Sequence, residues 1–194
     1  MSSHAAALEV IPLIYGVFGL PRSGKTTYLC KIAKSYIKRG VRVYTNFPCH
    51  GCYKLDFSKL GRFDFSNCVL LIDEISLVAD SRDWKNFNSD LVYFFTNHGH
   101  YKVDIYYCSQ WFTDTDIKIR RMTEELYYIQ SAFFGLSLRY TVMRDICTTD
   151  RGEITDTYKF KHPRLFFRPL YYSMFDSFSR KKLPTFTAEM WKKV

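Results

Sequence analysis

Eight residues near the start of the chain have the types and the spacing of a loop that binds phosphate. They are Gly19-Leu20-Pro21-Arg22-Ser23-Gly24-Lys25-Thr26, and they match the GxxxxGK(S/T) pattern at every fixed position. Glycines let the backbone curl so that N–H groups point at phosphate oxygens, and the N-terminus of a following helix adds positive charge there. We expect Lys25 to reach the β- and γ-phosphates, Thr26 to bind magnesium, and Thr27 to complete the nucleotide contacts.

A second group with catalytic potential is the acidic pair Asp73-Glu74, which directly follows the apolar residues 69–72. Ligands bind at the carboxyl ends of strands in open α/β sheets. We expect Asp73 to hold magnesium, commonly through a water, and Glu74 to orient or deprotonate the attacking water. An acidic N-cap after a strand is the alternative. The pair favours ATP hydrolysis coupled to mechanical work over a small-molecule kinase, for which no Arg-rich lid is evident.

Three other polar residues could take part in hydrolysis. Gln110 ends a predicted strand and could touch the γ-phosphate or the attacking water, although a surface glutamine is the alternative. Arg120 and Arg121 follow on the next predicted helix. One of them could act across a subunit boundary as an arginine finger, although a solvated basic helix face is the simpler interpretation. Arg139 and Arg144 are weaker candidates for that role.

The segment Cys49-His50-Gly51-Cys52 contains one C-x-x-C pair. One such pair is half of a zinc site, and no second pair with suitable spacing follows in the sequence. A turn with two thiols is the preferred interpretation. The start of the sequence has no basic region typical of a signal peptide, so we expect a cytosolic protein with reduced thiols.

Hydrophobic patterns place these residues in an α/β fold with a mostly parallel sheet flanked by helices. Strands are predicted over residues 10–18, 41–47, 68–75 and 103–109, and helices over 27–39, 85–97 and 114–125. The first strand, helix and second strand form a βαβ unit. Residues 126–150 predict a β-hairpin extension with strands at 126–129 and 136–146, and residues 151–194 predict a basic, aromatic-rich tail. We expect residues 1–194 to form a single domain.

The composition points to polyanionic partners without specifying one. The chain has 194 residues, a net charge of +9 and 18% aromatic residues. Such a balance suits DNA, RNA or anionic lipid, although a nucleotide site itself needs positive charge. The longest apolar run, about residues 10–20, has about half of the roughly 20 residues that a membrane-spanning helix needs.

Taken in order, the motifs resemble those of the zonula occludens toxin family, which includes the filamentous-phage assembly ATPase, the gene I protein. The resemblance covers about residues 11 to 178. It is carried by the strand–GLPRSGKT–helix start, Tyr44-Thr45-Asn46, LLIDE, TNHGHYKVDI leading to Ser109-Gln110, the segment from Asp114 to Arg121, and the late YYSMFDSF. The chain departs from the family at Asn97, since members usually carry a basic residue near this turn.

The resemblance implies an additional-strand P-loop ATPase, related to DNA-pumping motors, that uses ATP and Mg²⁺ in assembly and export of a filamentous single-stranded DNA phage. It implies a ring-shaped homo-oligomer, such as a hexamer, with single-stranded DNA and phage coat or assembly proteins as partners. The expected location is the host cytoplasm. Many members carry a membrane span and a periplasmic part after the ATPase domain, so we expect membrane association at the inner membrane only if a C-terminal segment is missing from this chain.

Two other classes of P-loop protein are alternatives to a motor. The first is a nucleotide or small-molecule kinase, which the Asp73-Glu74 pair disfavours. The second is a slow regulatory NTPase. A guanine-specific switch would carry an Asn-Lys-x-Asp segment after the fourth strand, and the sequence has none there.

Overall fold

The computed structural model describes residues 11–78, 89–148 and 154–175. Within these ranges the strands are β1 (Ile14–Phe18), β2 (Arg42–Thr45), β3 (Tyr53–Lys54), β4 (Cys68–Ile72), β5 (Val103–Ser109), β6 (Glu125–Ser131), β7 (Leu136–Thr148) and β8 (Ile154–Phe167). The α-helices are α1 (Lys25–Lys38), α2 (Ile75–Val78), α3 (Ser89–Thr96) and α4 (Ile117–Met122). Short 3₁₀ helices cover Phe57–Lys59, Phe112–Asp114 and Arg168–Met174.

All eight strands belong to one sheet in the order β3-β2-β4-β5-β1-β6-β7-β8. The strands from β3 to β6 in this order are parallel, and β7 and β8 add to the edge in antiparallel pairing. Strand β5 lies between β1, which leads into the phosphate loop, and β4, which leads into the acidic pair. This inserted strand confirms the predicted fold, a P-loop α/β domain of the additional-strand type.

The core lies on both faces of the parallel strands. Strand β4 reads CVLLI and every one of its residues is buried, as expected for a central parallel strand covered on both sides. Leu70 and Ile72 pack with Phe94 of α3 on one face, while Leu71 packs with Leu29 of α1 on the other. Helix α1 therefore packs on the sheet directly after the phosphate loop, and this packing fixes the position of the loop.

The register of the parallel strands brings three strand ends to one edge. Phe18 of β1 pairs with Ser109 of β5, and Ile72 of β4 pairs with Tyr107 of β5. Because parallel strands point the same way, the loops after β1, β4 and β5 all emerge at this edge. The phosphate loop, the acidic pair and Gln110 are thus placed side by side by the sheet itself.

The predicted helices differ from the observed ones mainly in length. Helix α1 starts two residues earlier than predicted. Of the predicted helix at 85–97, α3 occupies the described part, and residues 85–88 lie outside the described ranges. The helix predicted at 114–125 is wrong in extent, because a 3₁₀ turn comes first and α4 covers only Ile117–Met122. The Asp116 side chain caps α4 by accepting a hydrogen bond from the Lys118 amide.

The hairpin predicted after residue 126 is present, and the structure adds a strand that the sequence analysis did not predict. Strand β6 pairs parallel with β1 and antiparallel with β7, so the hairpin grows directly out of the central sheet. Strand β8, in the predicted tail, then pairs along β7. Residues 157–165 of β8 are all exposed, although the Tyr158 and Phe160 rings contact rings of the sheet and of the Phe112–Asp114 turn. Residues 176–194 of the tail lie outside the described ranges.

Among the helices in the described part of the chain, none has both the length and the apolar character needed to cross a membrane.

Candidate nucleotide-binding site

The phosphate loop links the end of β1 to the start of α1, and two glycines give it its shape. A Cβ atom on Gly19 would lie 2.3 Å from the Ile129 carbonyl oxygen of β6. Gly24 has a φ of 104° and caps the N-terminus of α1. A Cβ there would lie 2.9 Å from both the Ser137 Oγ and the Arg168 Cδ atoms. The loop is therefore packed so closely by β6, β7 and the Arg168 side chain that glycine is favoured at these two positions.

Lys25 points back into the loop that precedes it. Its Nζ atom donates hydrogen bonds to the carbonyl oxygens of Gly19, at 2.8 Å, and Leu20, at 3.1 Å. The residue is only 7% exposed. A buried ammonium group needs such acceptors, and phosphate oxygens are stronger acceptors than carbonyl oxygens. The amine is thus held inside the loop at the place where a bound phosphate group would compete for it.

Thr26 and Asp73 join the two predicted halves of the site. The Thr26 hydroxyl donates a hydrogen bond of 2.8 Å to the Asp73 carboxylate, across 47 residues of sequence. A hydroxyl and a carboxylate are oxygen ligands that proteins commonly offer to magnesium. Phosphates and waters then supply the remaining ligands. The residues present therefore fit the Mg²⁺ ion that the fold implies.

The backbone around the acidic pair is held by Asn46, which follows β2. The Asn46 side-chain amide donates to the Asp73 carbonyl oxygen at 2.8 Å, and its Oδ1 accepts from the Asp73 amide at 2.7 Å. The next residue, Glu74, has a φ of 50°, a left-handed conformation that is unfavourable for a residue with a side chain. We infer that the two Asn46 bonds hold the strand end while Glu74 adopts this conformation.

Burial raises the pKa of both acidic side chains. For Asp73 desolvation outweighs the opposing effects of the Thr26 hydrogen bond and the Lys25 charge. For Glu74 desolvation acts first and the neighbouring Asp73 charge adds to it. A bound cation would favour the ionised form of both carboxyl groups, so the site is electrostatically suited to magnesium. A carboxylate kept ionised in this way can accept a proton.

Most of the predicted site residues line one cleft of about 930 Å³. They are Pro21, Arg22, Gly24, Lys25, Thr26, Thr27, Asp73, Glu74 and Gln110. Gly19, Leu20 and Ser23 form the rest of the loop, and the Gly19 amide donates to the Gln110 carbonyl oxygen at 3.3 Å. The structure thus brings the loop, the acidic pair and Gln110 together, as the sequence analysis predicted.

The predicted arginines are placed elsewhere. Arg120 and Arg121 are not among the described residues that line the cleft, and the Arg120 guanidinium lies 5.8 Å from the centre of the Phe112 ring. Their role as arginine fingers depends on a second subunit and stays a prediction. Arg139 is buried over the Tyr127 ring at 4.3 Å, which is a packing position. The Arg144 side chain lies outside the described part of the chain.

The cleft also contains residues that the sequence analysis did not assign to the site. They are Asn46, Phe47, Pro48, Arg168, Tyr172 and Phe175. Asn46 belongs to the Tyr44-Thr45-Asn46 motif, which carried the family resemblance but had no assigned role. Arg168, Tyr172 and Phe175 follow β8. Tyr172 and Phe175 stand in the YYSMFDSF motif, which carried the family resemblance but had no assigned role, and nothing in the sequence pointed to Arg168.

The C-x-x-C segment lies beside α1, where Cys30 adds a third thiol. The Cys30 and Cys49 sulfur atoms are 4.0 Å apart. Hydrogen bonds with the Cys30 and Cys52 thiols hold the pKa of the Cys49 thiol below its usual value. Within the described ranges, no group of three or more His, Cys, Asp or Glu side chains is arranged to hold a metal ion.

Comparison with known proteins relates the chain to one family and one fold. The family model described as zonular occludens toxin (Zot) matches residues 52–180. The crystal structure of the N-terminal domain of zonular occludens toxin from Neisseria meningitidis aligns with a TM-score of 0.55 at 16% identity, covering 86% of this chain and 100% of that chain. A search of curated protein sequences finds no match.

Two other solved structures are similar at lower scores. The flagellar accessory protein FlaH from Methanocaldococcus jannaschii aligns with a TM-score of 0.45 at 15% identity, covering 76% of this chain and 91% of that chain. The genome packaging NTPase B204 from Sulfolobus turreted icosahedral virus 2, in complex with AMP, aligns with a TM-score of 0.46 at 12% identity, covering 75% of this chain and 96% of that chain.

Proposed function

Because the chain belongs to the zonular occludens toxin family, we propose that it is a Mg²⁺-dependent ATPase motor for assembly and export of a filamentous single-stranded DNA phage. The observation that carries the ATPase part is the 2.8 Å hydrogen bond from Thr26 to Asp73, since it joins the phosphate loop to the acidic pair in one cleft. The phage part rests on the sequence resemblance.

Binding begins with the phosphate loop. In the proposed mechanism Lys25 leaves the Gly19 and Leu20 carbonyl oxygens and pairs with the β- and γ-phosphates of ATP. The loop amides and the N-terminus of α1 contact the remaining phosphate oxygens. Thr26 and Asp73 would hold Mg²⁺, which would supply positive charge to the phosphate oxygens.

Hydrolysis requires a base beside the terminal phosphate, and we assign that role to Glu74, which lines the cleft together with Lys25 and Thr26. A water oxygen attacks the γ-phosphorus, the bond to the β–γ bridging oxygen breaks, and ADP leaves with that electron pair. Glu74 accepts the proton from the water, and desolvation together with the Asp73 charge, which raise its pKa, favour its protonated form. Gln110 lies in the same cleft and orients the water or the γ-phosphate.

The assembly-level part of the proposal is a ring-shaped homo-oligomer that moves single-stranded DNA in the host cytoplasm, at the inner membrane if the chain continues into a membrane anchor. The net charge of +9 supports a polyanionic partner. A ring would also give Arg120 or Arg121 a neighbouring active site in which to act.

The ATPase proposal is tested with two substitutions in the cleft and one outside it. Lys25→Ala should abolish ATP binding, whereas Glu74→Gln should bind ATP and stop turnover. Lys38→Ala is the matched control, because it removes an exposed lysine at the far end of the same helix and should change neither. Normal turnover by the Glu74→Gln variant would remove Glu74 from the catalytic role, and unchanged ATP affinity of Lys25→Ala would refute the loop assignment.

The motor proposal is tested by native mass measurement with a non-hydrolysable ATP analogue, with and without single-stranded DNA. We expect ring-sized assemblies in the presence of the analogue, and bound DNA. The motor proposal would be refuted if the chain stayed monomeric under all nucleotide conditions and if DNA did not change its ATP turnover. Only the ATPase proposal would then remain.

A further inference from the structure

The segment after β8 lines part of the nucleotide cleft through Arg168, Tyr172 and Phe175. Its 3₁₀ helix starts at Arg168, whose amide donates to the Gly135 carbonyl oxygen at 2.9 Å. At its other end the Met174 carbonyl oxygen accepts from the His50 amide at 2.7 Å. In between, the Lys34 amine of α1 lies 5.6 Å from the centre of the Tyr171 ring. The segment is therefore anchored to the hairpin, to α1 and to the loop after β2.

Arg168 is built against the outside of the phosphate loop. Its Nη1 atom donates to the Arg22 carbonyl oxygen at 3.3 Å, and its Nε atom donates to the Gly135 carbonyl oxygen at 3.3 Å. Both bonds are long, and carbonyl oxygens are weak partners for a guanidinium compared with phosphate oxygens. Because the side chain also lines the cleft, it can turn one edge of the guanidinium to a bound phosphate.

Three aromatic side chains line the cleft beyond Arg168. Tyr172 and Phe175 belong to the anchored segment, and Phe47 belongs to the loop after β2. The Tyr172 side chain is 47% exposed. Flat aromatic faces left partly exposed in a cleft beside a phosphate site suit a nucleobase, since any base can stack on them.

We propose that residues 168–175 complete the nucleotide site, with Arg168 contacting a phosphate and Tyr172 and Phe175, together with Phe47 of the same cleft, holding the base. This inference deepens the proposed ATPase function and rests on it. It assigns the base end of the site to a segment far in sequence from the phosphate loop. It also couples the β6–β8 strands to the nucleotide, because the segment that holds the base is the continuation of β8.

The test separates base contacts from phosphate contacts by titrating two probes, ATP and inorganic tripolyphosphate, each with Mg²⁺ and followed by calorimetry. Tyr172→Ala and Phe175→Ala should each weaken ATP binding about tenfold, equal to about 1.4 kcal/mol, and leave tripolyphosphate binding unchanged. Tyr93→Ala is the matched control, since Tyr93 is 57% exposed and lies on α3, and it should change neither affinity.

Arg168 is tested with the same two probes. Arg168→Met should weaken both ATP and tripolyphosphate about tenfold, and Arg168→Lys should restore much of that loss because it keeps the charge. Each variant is also unfolded in urea, so that a change in affinity is counted only where the folded domain persists.

The outcomes distinguish this inference from the function on which it rests. A wild-type chain that binds neither probe would overturn the ATPase proposal, and this inference with it. A wild-type chain that binds ATP no more tightly than tripolyphosphate would overturn the base contact alone. So would full ATP affinity in both the Tyr172→Ala and the Phe175→Ala variants. Unchanged affinities in Arg168→Met would remove the phosphate contact.

Discussion

Asn46 offers a sharp test of how the acidic pair is positioned. Its side chain makes two hydrogen bonds with the Asp73 backbone, at 2.7 and 2.8 Å, directly before the left-handed backbone of Glu74. The Asn46→Ala substitution removes both bonds and touches neither carboxylate. We expect the end of β4 to loosen, so that Asp73 and Glu74 no longer face the phosphate loop in one fixed arrangement.

The size of the effect follows from the two bonds. A hydrogen bond contributes about 0.5–1.5 kcal/mol net, so two would contribute about 1–3 kcal/mol. Asn46 is exposed, and water can replace part of each bond, so we expect a loss of about 1–2 kcal/mol in the free energy of unfolding. For a domain of this size that corresponds to a fall of about 2–8 °C in Tm. ATP turnover should fall more than ATP affinity, because the phosphate loop is intact.

The assay is urea unfolding together with ATP turnover, and Asn97→Ala is the matched control. The Asn97 side chain donates a single bond of 2.8 Å to the Tyr93 carbonyl oxygen at the end of α3. Its loss should cost no more than about 0.5–1 kcal/mol and leave turnover unchanged. The reasoning is refuted if Asn46→Ala unfolds like the control, or if its turnover equals that of the wild type.

Three more predictions concern the packing and charge of the cleft. Gly24→Ala should destabilise the domain by about 1–2 kcal/mol through its left-handed backbone. It should also lower ATP affinity, because the new Cβ would lie 2.9 Å from the Ser137 Oγ and Arg168 Cδ atoms. Equal urea midpoints for variant and wild type would contradict this. Ser137→Ala removes the 2.7 Å hydrogen bond from a fully buried hydroxyl to the Ser23 carbonyl oxygen. It should lower the free energy of unfolding by about 1–3 kcal/mol. A loss below about 0.5 kcal/mol would show that the phosphate loop does not depend on this bond. Asp73→Asn should raise nucleotide-free stability at pH 7. Burial raises the folded pKa of Asp73, so its contribution to stability falls as pH rises from about 3.9, the unfolded value, through the folded pKa. The gain over wild type should shrink as unfolding is measured nearer pH 4, and a pH-independent difference would contradict the assignment.

The sequence by itself determined the phosphate loop, the acidic pair and the strands that lead into them. These features are local, because a glycine-rich loop between an apolar strand and a helix is written in consecutive residues. The same holds for CVLLI before Asp73, since a strand buried on both faces must be apolar throughout. Their meeting in one cleft follows from the parallel sheet, whose strand ends share an edge.

Only the tertiary structure decided what surrounds these residues. Ser137 contacts the phosphate loop across 114 positions and Arg168 across 146, and nothing in a serine or an arginine specifies a partner so far away. Strand β8 was also missed by the sequence analysis. It pairs with β7 through backbone hydrogen bonds, and Tyr158 and Phe160, which alternate with lysines, stay partly exposed where they contact the Phe112 and Tyr128 rings. The segment that continues β8 returns over α1 only in the folded chain. Backbone pairing with β7 fixes where β8 ends, and the side chains of β8 do not specify that position in the sequence.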